Sequence, residues 1–260
     1  MNIIVCIKQV PDTSEVKIDP ETNTIVREGV PAIINPFDEN AIEEAVQLVE
    51  EQGGKVTVIS MGPPQAEAAL REALAMGADE AILVSDRCFA ASDTLATSYV
   101  LSNAIKAIGE YDLILCGKQA FDGDTAQVPP GVAEHLGIPQ VTFAIGLEAE
   151  GRKVRVRRLL EDEFETVEVK TPCLVSVVKQ INEPRRPGIK SKLAAKKKEV
   201  QVWDSSCIEA DACLCGFDGS PTRVVRTFAP SHDHPTERFE GEPGETARQV
   251  VERLIGEKIV

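Results

Sequence analysis

The segment with the most residues suited to ligand binding lies at 117–137, with the sequence GKQAFDGDTAQVPPGVAEHLG. It follows the aliphatic run 113–116 and leads into a helical pattern, so it is predicted to join the carboxyl end of a strand to the start of a helix. In open α/β sheets ligands bind at that end of the strands, and the free amides of a helix N-terminus favour anions. The segment is a candidate nucleotide-binding loop.

The residue types in this loop suit a nucleotide. Gly117 and Gly123 would let the backbone approach a ligand, Thr125 and Gln127 offer hydrogen bonds, and the aspartates could accept hydrogen bonds from ribose hydroxyls or adenine. A capped loop ending at the two prolines, with Asp and Thr satisfying backbone donors, is an equally good interpretation of the same residues. Spacing alone does not decide between these two interpretations.

Two further segments are placed at predicted strand-to-helix junctions. In NPFDENA (35–41) the Asn-Pro pair predicts a turn, with Asp38 or Asn40 capping the next helix. In SDRCFAASDTLATS (85–98), Asp93 and Thr94 open a helix at a position suited to a phosphate or ribityl chain. An aspartate there would repel phosphate, so a helix N-cap is the alternative.

The segment 183–198, EPRRPGIKSKLAAKKK, holds seven basic residues in a chain of net charge −14. Such a run is usually a solvated face. Because Ile189 and Leu193 interrupt it, the composition also fits an apolar docking anchor surrounded by steering charges, for which an acidic partner is favoured over RNA.

The order of patterns along the chain predicts an α/β fold with a doubly wound, mainly parallel sheet. Short aliphatic runs at 3–7, 56–60, 81–84, 113–116 and 141–145 alternate with helical stripes at 40–51, 65–76 and 93–108. Beyond residue 147 the runs 153–159, 163–169 and 174–178 are predicted to be added antiparallel strands.

The C-terminal part has little core-forming pattern before a helical stripe at 244–257. We predict a nucleotide-binding domain over 1–200, which includes the basic segment, and a C-terminal arm over 201–260 that docks on a partner. With no export signal and no long apolar run, the chain is expected to be cytoplasmic with reduced cysteines. The spacing of the cysteines, and of His232 and His234, predicts no metal site.

Five stretches together resemble the β subunits of electron-transfer flavoproteins. They are VCIKQVPDT (5–13), NPFDENAIEEAV (35–46), MGPPQAEAALREALAMGADEAILVSD (61–86), CGKQAFDGDTAQVPPGVAEHLGIPQVTFA (116–144) and NEPRRPGIKSKLAAKKKE (182–199). The resemblance implies a Rossmann-like fold of the adenine-nucleotide hydrolase type, whose C-terminal arm wraps an α subunit.

The resemblance also implies a site for AMP or the adenylate part of FAD, and a docking loop for acyl-CoA dehydrogenases in which Ile189 replaces a residue that is often Leu. The nucleotide residues are Cys6, Asn35, Pro36, Phe37, Asp38, Met61, Asp93, Thr94, Thr97, Gly117, Lys118, Gln119, Ala120, Phe121, Asp122, Gly123, Asp124, Thr125, Ala126, Gln127 and Val128. The docking residues are Arg185, Arg186, Ile189, Lys190, Lys192 and Leu193.

The segment 85–98 resembles the electron-bifurcating members of the family. This favours FAD over AMP at the β site. It implies that NADH reduces this FAD and that the electrons divide between ferredoxin or flavodoxin and, over the α-subunit FAD, an acyl-CoA dehydrogenase. A non-bifurcating carrier with structural AMP is the alternative.

Two other classes share the fold. A universal-stress-type nucleotide-binding protein would have no use for the basic segment or the arm. An adenylating ligase needs an S-G-G-x-D-S-type phosphate loop where this chain has KQVPDT.

Overall fold

A computed structural model describes residues 1–12, 31–225 and 236–259, so His232 and His234 lie outside the described residues. The strands are β1 (Asn2–Cys6), β2 (Gln9–Pro11), β3 (Ala32–Ile34), β4 (Lys55–Met61), β5 (Glu80–Val84), β6 (Leu113–Gly117), β7 (Gln140–Glu150), β8 (Lys153–Leu159), β9 (Phe164–Lys170), β10 (Cys173–Val177) and β11 (Val200–Trp203). The helices are α1 (Pro36–Gln52), α2 (Glu67–Met76), α3 (Thr94–Ile108), α4 (Val128–Leu136), α5 (Ile189–Ala195) and α6 (Pro243–Gly256).

A nine-stranded sheet in the order β11-β5-β4-β1-β6-β10-β7-β8-β9 forms the centre of the fold. Neighbouring strands from β11 to β7 are parallel, and β8 and β9 extend the sheet as an antiparallel meander. Helices pack on both faces. The predicted Rossmann-like, mainly parallel α/β fold with added antiparallel strands is confirmed.

The predicted direction of the last strand of this group was wrong. The run 174–178 corresponds to β10, which lies parallel between β6 and β7 rather than antiparallel at an edge. All five residues of β10 are buried, as expected for a strand covered on both faces. A short apolar run predicts that a strand is buried but not in which direction it runs. Here the β8–β9 meander brings the chain back to the start of the sheet strands, and β10 therefore runs parallel to β6 and β7.

The two faces of the sheet are built by alternation along the strands. In β1, Ile3 and Val5 pack toward α1 and α2, whereas Ile4 and Cys6 pack toward α3 and α4. Because successive strand residues point to opposite faces, a strand that is apolar throughout must be covered on both sides. The three predicted helical stripes correspond to α1, α2 and α3, which supply that cover.

The chain changes direction across the sheet next to β1. From β1 it runs through α1, β4, α2 and β5 to one side, and α3 then carries it back to β6 on the other side of β1. The loops after β1 and β6 therefore diverge from a common crevice at the carboxyl ends of the strands. Ligands of doubly wound folds bind at such a switch point.

The predicted division at residue 200 falls within β11, which pairs with the edge strand β5. The following segment, 204–222, is attached to Asp86, just after β5, through Ser205, and to the N-cap residue Asp93 of α3 through Ser220 and Thr222. Helix α6 confirms the predicted helical stripe at 244–257, and none of its residues is buried. No helix in the described residues is both long and apolar enough to cross a bilayer.

The packing of α3 on α4 gives a test of this arrangement. A methyl group added at Gly131 in α4 would lie 2.4 Å from Ser98 Oγ and 2.9 Å from Ser98 Cβ in α3. We expect Gly131→Ala to lower the free energy of unfolding by about 1–3 kcal/mol through overpacking, measured by urea denaturation. In the control Gly123→Ala the methyl meets no atom within 4 Å. Equal midpoints for the two variants would contradict the close helix contact.

Candidate functional site

Asp38 joins the ends of the two strands that flank the switch point. Its Oδ2 accepts the backbone N–H of Lys8 at 2.7 Å and its Oδ1 accepts that of Gly117 at 3.2 Å. The carboxyl group is buried. Burial raises the pKa of Asp38 to about 7, although hydrogen bonds from its neighbours oppose the rise. One side chain of α1 thus fixes the loops after β1 and β6.

The predicted capping roles of Asp38 and Asn40 were wrong. Helix α1 begins at Pro36, so both residues lie inside it, and Asn35 occupies the N-cap position. Proline at the first position suits a helix start because its φ angle is already helical and it has no N–H to satisfy. The Asn-Pro pair therefore starts the helix directly, which leaves both buried side chains for tertiary contacts.

Asn35 holds the candidate nucleotide loop. Its Nδ2 donates to Gln119 O at 2.8 Å, and its Oδ1 accepts the N–H of Phe121 at 3.0 Å, while it makes no side-chain cap bond to its own helix. A buried amide with both ends satisfied fixes its partner segment in one position. The loop 117–121 is therefore attached to the start of α1.

The two loop glycines have different roles. A Cβ at Gly117 would lie 2.3 Å from Asp38 Oδ1 and 2.7 Å from Phe37 Cβ, so this glycine allows close packing of α1. Packing against α1 is therefore a structural reason for glycine at 117, and the approach of a ligand to its backbone stays a prediction. A Cβ at Gly123 would meet no atom within 4 Å, so this glycine lies in the open part of the loop.

The exposed part of the loop presents backbone donors. Asp124 and Ala126 have positive φ angles of 50° and 54°. Among the described residues, the amides of Thr125, Ala126 and Gln127 have no hydrogen-bond acceptor. These amides directly precede the N-terminus of α4. A row of free N–H groups at a helix N-terminus fits a phosphate or pyrophosphate group.

The acidic side chains of the loop are bound within the protein. Lys8 Nζ contacts Asp122 Oδ1 at 2.6 Å, and Gln119 Nε2 donates to Asp124. These contacts offset negative charge beside the amide row. The sequence analysis did not single out Lys8. The feature that could have identified it is a basic residue two positions after Cys6, the predicted site residue at the end of β1.

The segment after β5 also lies at the carboxyl ends of the strands, where it contacts the candidate nucleotide loop. Thr94 Oγ1 donates to Gln127 Oε1 at 2.8 Å, which links the start of α3 to the end of the loop. Asp93 caps α3 by accepting the N–H groups of Leu95 and Ala96 on Oδ1, and its Oδ2 accepts from Thr222 at 2.7 Å. The N-cap alternative for Asp93 is confirmed, and both of its oxygens have protein partners.

The remaining predicted nucleotide residues lie around these contacts. Cys6 is the register partner of Cys116 across β1 and β6. A hydrogen bond with Cys6 and burial hold the pKa of the Cys116 thiol well above its usual value, so it stays protonated. Met61 is partly buried at the end of β4, the strand beside β1. Lys118 Nζ lies 5.5 Å from the ring centre of Phe143.

The basic segment forms the short helix α5. Ile189 and Leu193, one helical turn apart, are 82% and 56% exposed. Arg185 is different from the predicted steering charges, because its guanidinium is bound to Glu43 and Glu50 of α1. Arg186, Lys190 and Lys192 make no salt bridge with the described residues.

The switch-point crevice belongs to a doubly wound α/β fold, a class of proteins in which nucleotides often bind at this position. The electron transfer flavoprotein domain family matches residues 22–207 of the chain.

Curated relatives match the chain over its full length. An electron transfer flavoprotein subunit beta from Thermoanaerobacterium thermosaccharolyticum is 55% identical, and one from Clostridium acetobutylicum is 50% identical, each covering 100% of both chains. The caffeyl-CoA reductase-Etf complex subunit CarD from Acetobacterium woodii is 45% identical with the same coverage. The chain belongs to the electron transfer flavoprotein β-subunit family, and the predicted family is confirmed.

The buried carboxyl of Asp38 gives a pH prediction. Its pKa is near 7 in the folded protein and 3.8 at its ordinary value, so between about pH 4 and 7 the folded state holds a proton that the unfolded state has lost. The free energy of unfolding should therefore fall as pH rises through this window, by up to about 1.4 kcal/mol per pH unit. Asp38→Asn should remove this contribution, as measured by urea denaturation from pH 4.5 to 7.5.

The matched control is Asp112→Asn. Asp112 also accepts a backbone N–H, that of Asn2, but it is partly exposed and lies at the amino ends of the strands, just before β6. Because Asp112→Asn leaves Asp38 in place, the stability of this variant should still fall as the pH rises from 4.5 to 7.5. The same fall in Asp38→Asn would contradict the raised pKa.

Proposed function

We propose that the chain is the β subunit of a heterodimeric electron-transfer flavoprotein that binds FAD at the switch-point crevice and oxidises NADH. The electrons then pass to ferredoxin or flavodoxin and, over the FAD of the α subunit, to an acyl-CoA dehydrogenase. The observation that carries the nucleotide part of the proposal is the row of amides at 125–127, which have no acceptor in the part of the chain that the structure describes, on a loop that Asn35 fixes to α1.

The described residues offer partners to the phosphate and to a ring of an adenine nucleotide. The amides of Thr125, Ala126 and Gln127 would receive phosphate oxygens at the N-terminus of α4. Phe121 is 44% exposed beside them and offers an apolar surface to a ring. Asn35 and Asp38 do not need to touch the nucleotide, because they hold the loop in the form that binds it.

A flavin at this site would supply hydride acceptance from NADH and one-electron transfer. The chain would set its potentials by hydrogen bonds and nearby charge. The hydroxyl groups of Thr94 and Thr97, at the start of α3, stand at the same edge as the loop. Two electrons can be divided between two acceptors only when the two one-electron potentials of the flavin differ widely. These hydroxyl groups and the charge of Lys118 are the candidates for setting those potentials.

One observation favours the alternative, a carrier with AMP at the β site. Asp93 places a carboxylate at the N-terminus of α3, where it caps the helix and accepts from Thr222. Negative charge there opposes a second phosphate group close to α3. An adenylate with one phosphate, bound at the amide row alone, avoids this repulsion.

The α subunit is proposed as the partner of the C-terminal arm. Helix α6 has no buried residue, and Val251 and Ile255, four positions apart in it, are 51% and 57% exposed. Apolar residues three to four positions apart form one stripe that a second chain can cover. The seven cysteines are all free thiols, which fits the proposed cytoplasmic location.

The test is the cofactor content of the complex. Co-expression with the α subunit should give a yellow complex that releases two FAD per heterodimer, measured by extraction and chromatography. Asn35→Asp, which replaces the N–H donor to Gln119 O by a carboxylate, should lower the β-site content without changing the α-subunit FAD. Gln201→Glu, an exposed change of the same kind on β11, is the control.

The possible outcomes separate the two candidates. One FAD and one AMP per heterodimer would replace the bifurcating assignment by the AMP carrier. A wild-type complex with one FAD and no second nucleotide would overturn the β site.

Charge reversal tests the docking role of the basic segment. Lys190→Glu with Lys192→Glu should slow electron delivery to the dehydrogenase, because complementary charges speed the encounter, and the wild-type rate should fall as salt rises. The readout is the rate of dehydrogenase reduction between about 20 and 300 mM salt. Lys153→Glu, on the exposed surface of β8, is the control. Equal rates and salt slopes in wild type and variant would remove the docking role.

A further inference from the structure

The basic segment is attached to α1 through Arg185. The guanidinium donates to both oxygens of Glu43, at 2.8 and 3.0 Å, and to both oxygens of Glu50, at 2.6 and 2.9 Å. The backbone N–H of Arg185 also donates to Glu43 at 3.0 Å. Paired, planar contacts of this kind fix orientation as well as distance. Arg185 is thus held in one place on α1.

The pKa directions agree with a firm contact. The hydrogen bonds that Arg185 donates to Glu50 and Glu43 raise its pKa. Burial alone would raise the pKa of Glu43, but the hydrogen bonds from Arg185 hold it below its usual value. The carboxylate side chain of Glu43 is 4% exposed, so this ion pair is shielded from salt on one side.

A second contact lies three residues earlier. Asn182 donates to Asn40 O at 3.1 Å and to Glu44 Oε2 at 2.9 Å, and Asn40 donates back to Asn182 O at 2.9 Å. The chain entering the basic segment is therefore tied to the same helix, α1, at two points.

The other end of α5 is attached to α2. Arg71 donates to Ala195 O at 3.5 Å and to Lys198 O at 3.3 Å, the carbonyls at and just after the end of α5. Glu67, one turn earlier in α2, holds the same guanidinium at 2.6 Å. Ala195 is buried in the core. Between these two attachments Ile189 and Leu193 project outward.

Helix α5 has only 7 residues. Isolated helices shorter than about 12 residues are marginal in water, so α5 depends on its tertiary attachments. If the attachments through Arg185 and Arg71 are lost, α5 with Ile189 and Leu193 would have to become ordered when the partner binds. Ordering a segment on binding weakens the affinity.

We propose that Arg185 and Arg71 are positioning residues, which hold α5 preformed at its two ends so that an acidic acyl-CoA dehydrogenase surface meets Ile189 and Leu193 already in place. The proposal rests on the docking role given to the basic segment above. Because α1 also carries Asn35 and Asp38, one helix sets the docking helix and the nucleotide loop in a fixed relation.

The test uses the complete complex with its α subunit and an acyl-CoA dehydrogenase from the same organism. Arg185→Lys keeps the charge but loses the paired contacts, and Glu50→Gln weakens the exposed half of the same contact. Both should raise the KM for the dehydrogenase about threefold to tenfold with kcat unchanged, since the cost of ordering α5 moves to the binding step. Arg71→Lys should act in the same direction.

Two further readouts separate positioning from a loss of folding. Hydrogen exchange of the amides at 192–198 should be faster by roughly tenfold in the variants, while that of β1 and β4 stays as in the wild type. Reduction of a small dye by the complex, which needs no docking, should be unchanged. Arg152→Lys, an exposed arginine in the turn between β7 and β8 with no salt bridge in the described residues, is the control.

An unchanged KM in Arg185→Lys and Glu50→Gln, with or without faster exchange, overturns the positioning role while leaving the proposed function intact. If the wild-type complex delivers no electrons to the dehydrogenase in a saturable way, the proposed function fails and the positioning role fails with it.

Discussion

The structure depends on the way one buried carboxylate and one buried amide at the start of α1 hold two diverging loops. Asp38 accepts the backbone N–H groups of Lys8 and Gly117, and Asn35 holds the loop that follows. At a switch point the chain leaves two neighbouring strands in opposite directions, so the loops that follow these strands do not pair with each other. Side-chain hydrogen bonds supply that order, and unpaired groups here would carry a full desolvation cost.

Helix α1 has a second role along its length. Its first turn fixes the nucleotide loop, and the following turns present Asn40, Glu43 and Glu50 to the basic segment. A buried carboxylate such as that of Glu43 would be unfavourable alone, yet here Arg185 compensates it. A single rigid element thus sets the geometry between the loop 117–121 and the basic segment.

The C-terminal part makes polar contacts with the rest of the chain. The segment 204–222 is held by polar contacts with Asp86, just after β5, and with Asp93 at the start of α3. Helix α6 buries none of its residues, although it carries an apolar stripe. A helix of this kind gains most of its stability from a surface that covers it. The described residues of this chain leave the apolar stripe of α6 exposed.

The sequence by itself determined the fold class, the principal helices, the strand runs and the loop 117–128, because alternation and helical spacing are local signals. It also determined the family, since five ordered stretches carry the resemblance. Tertiary structure decided the direction of β10, the roles of Asn35 and Asp38, and the partner of Arg185. Those contacts join residues between 30 and 142 positions apart, as from Lys8 to Asp38 or from Glu43 to Arg185. No local pattern encodes such pairings, because they form only when the sheet has brought its strand ends together.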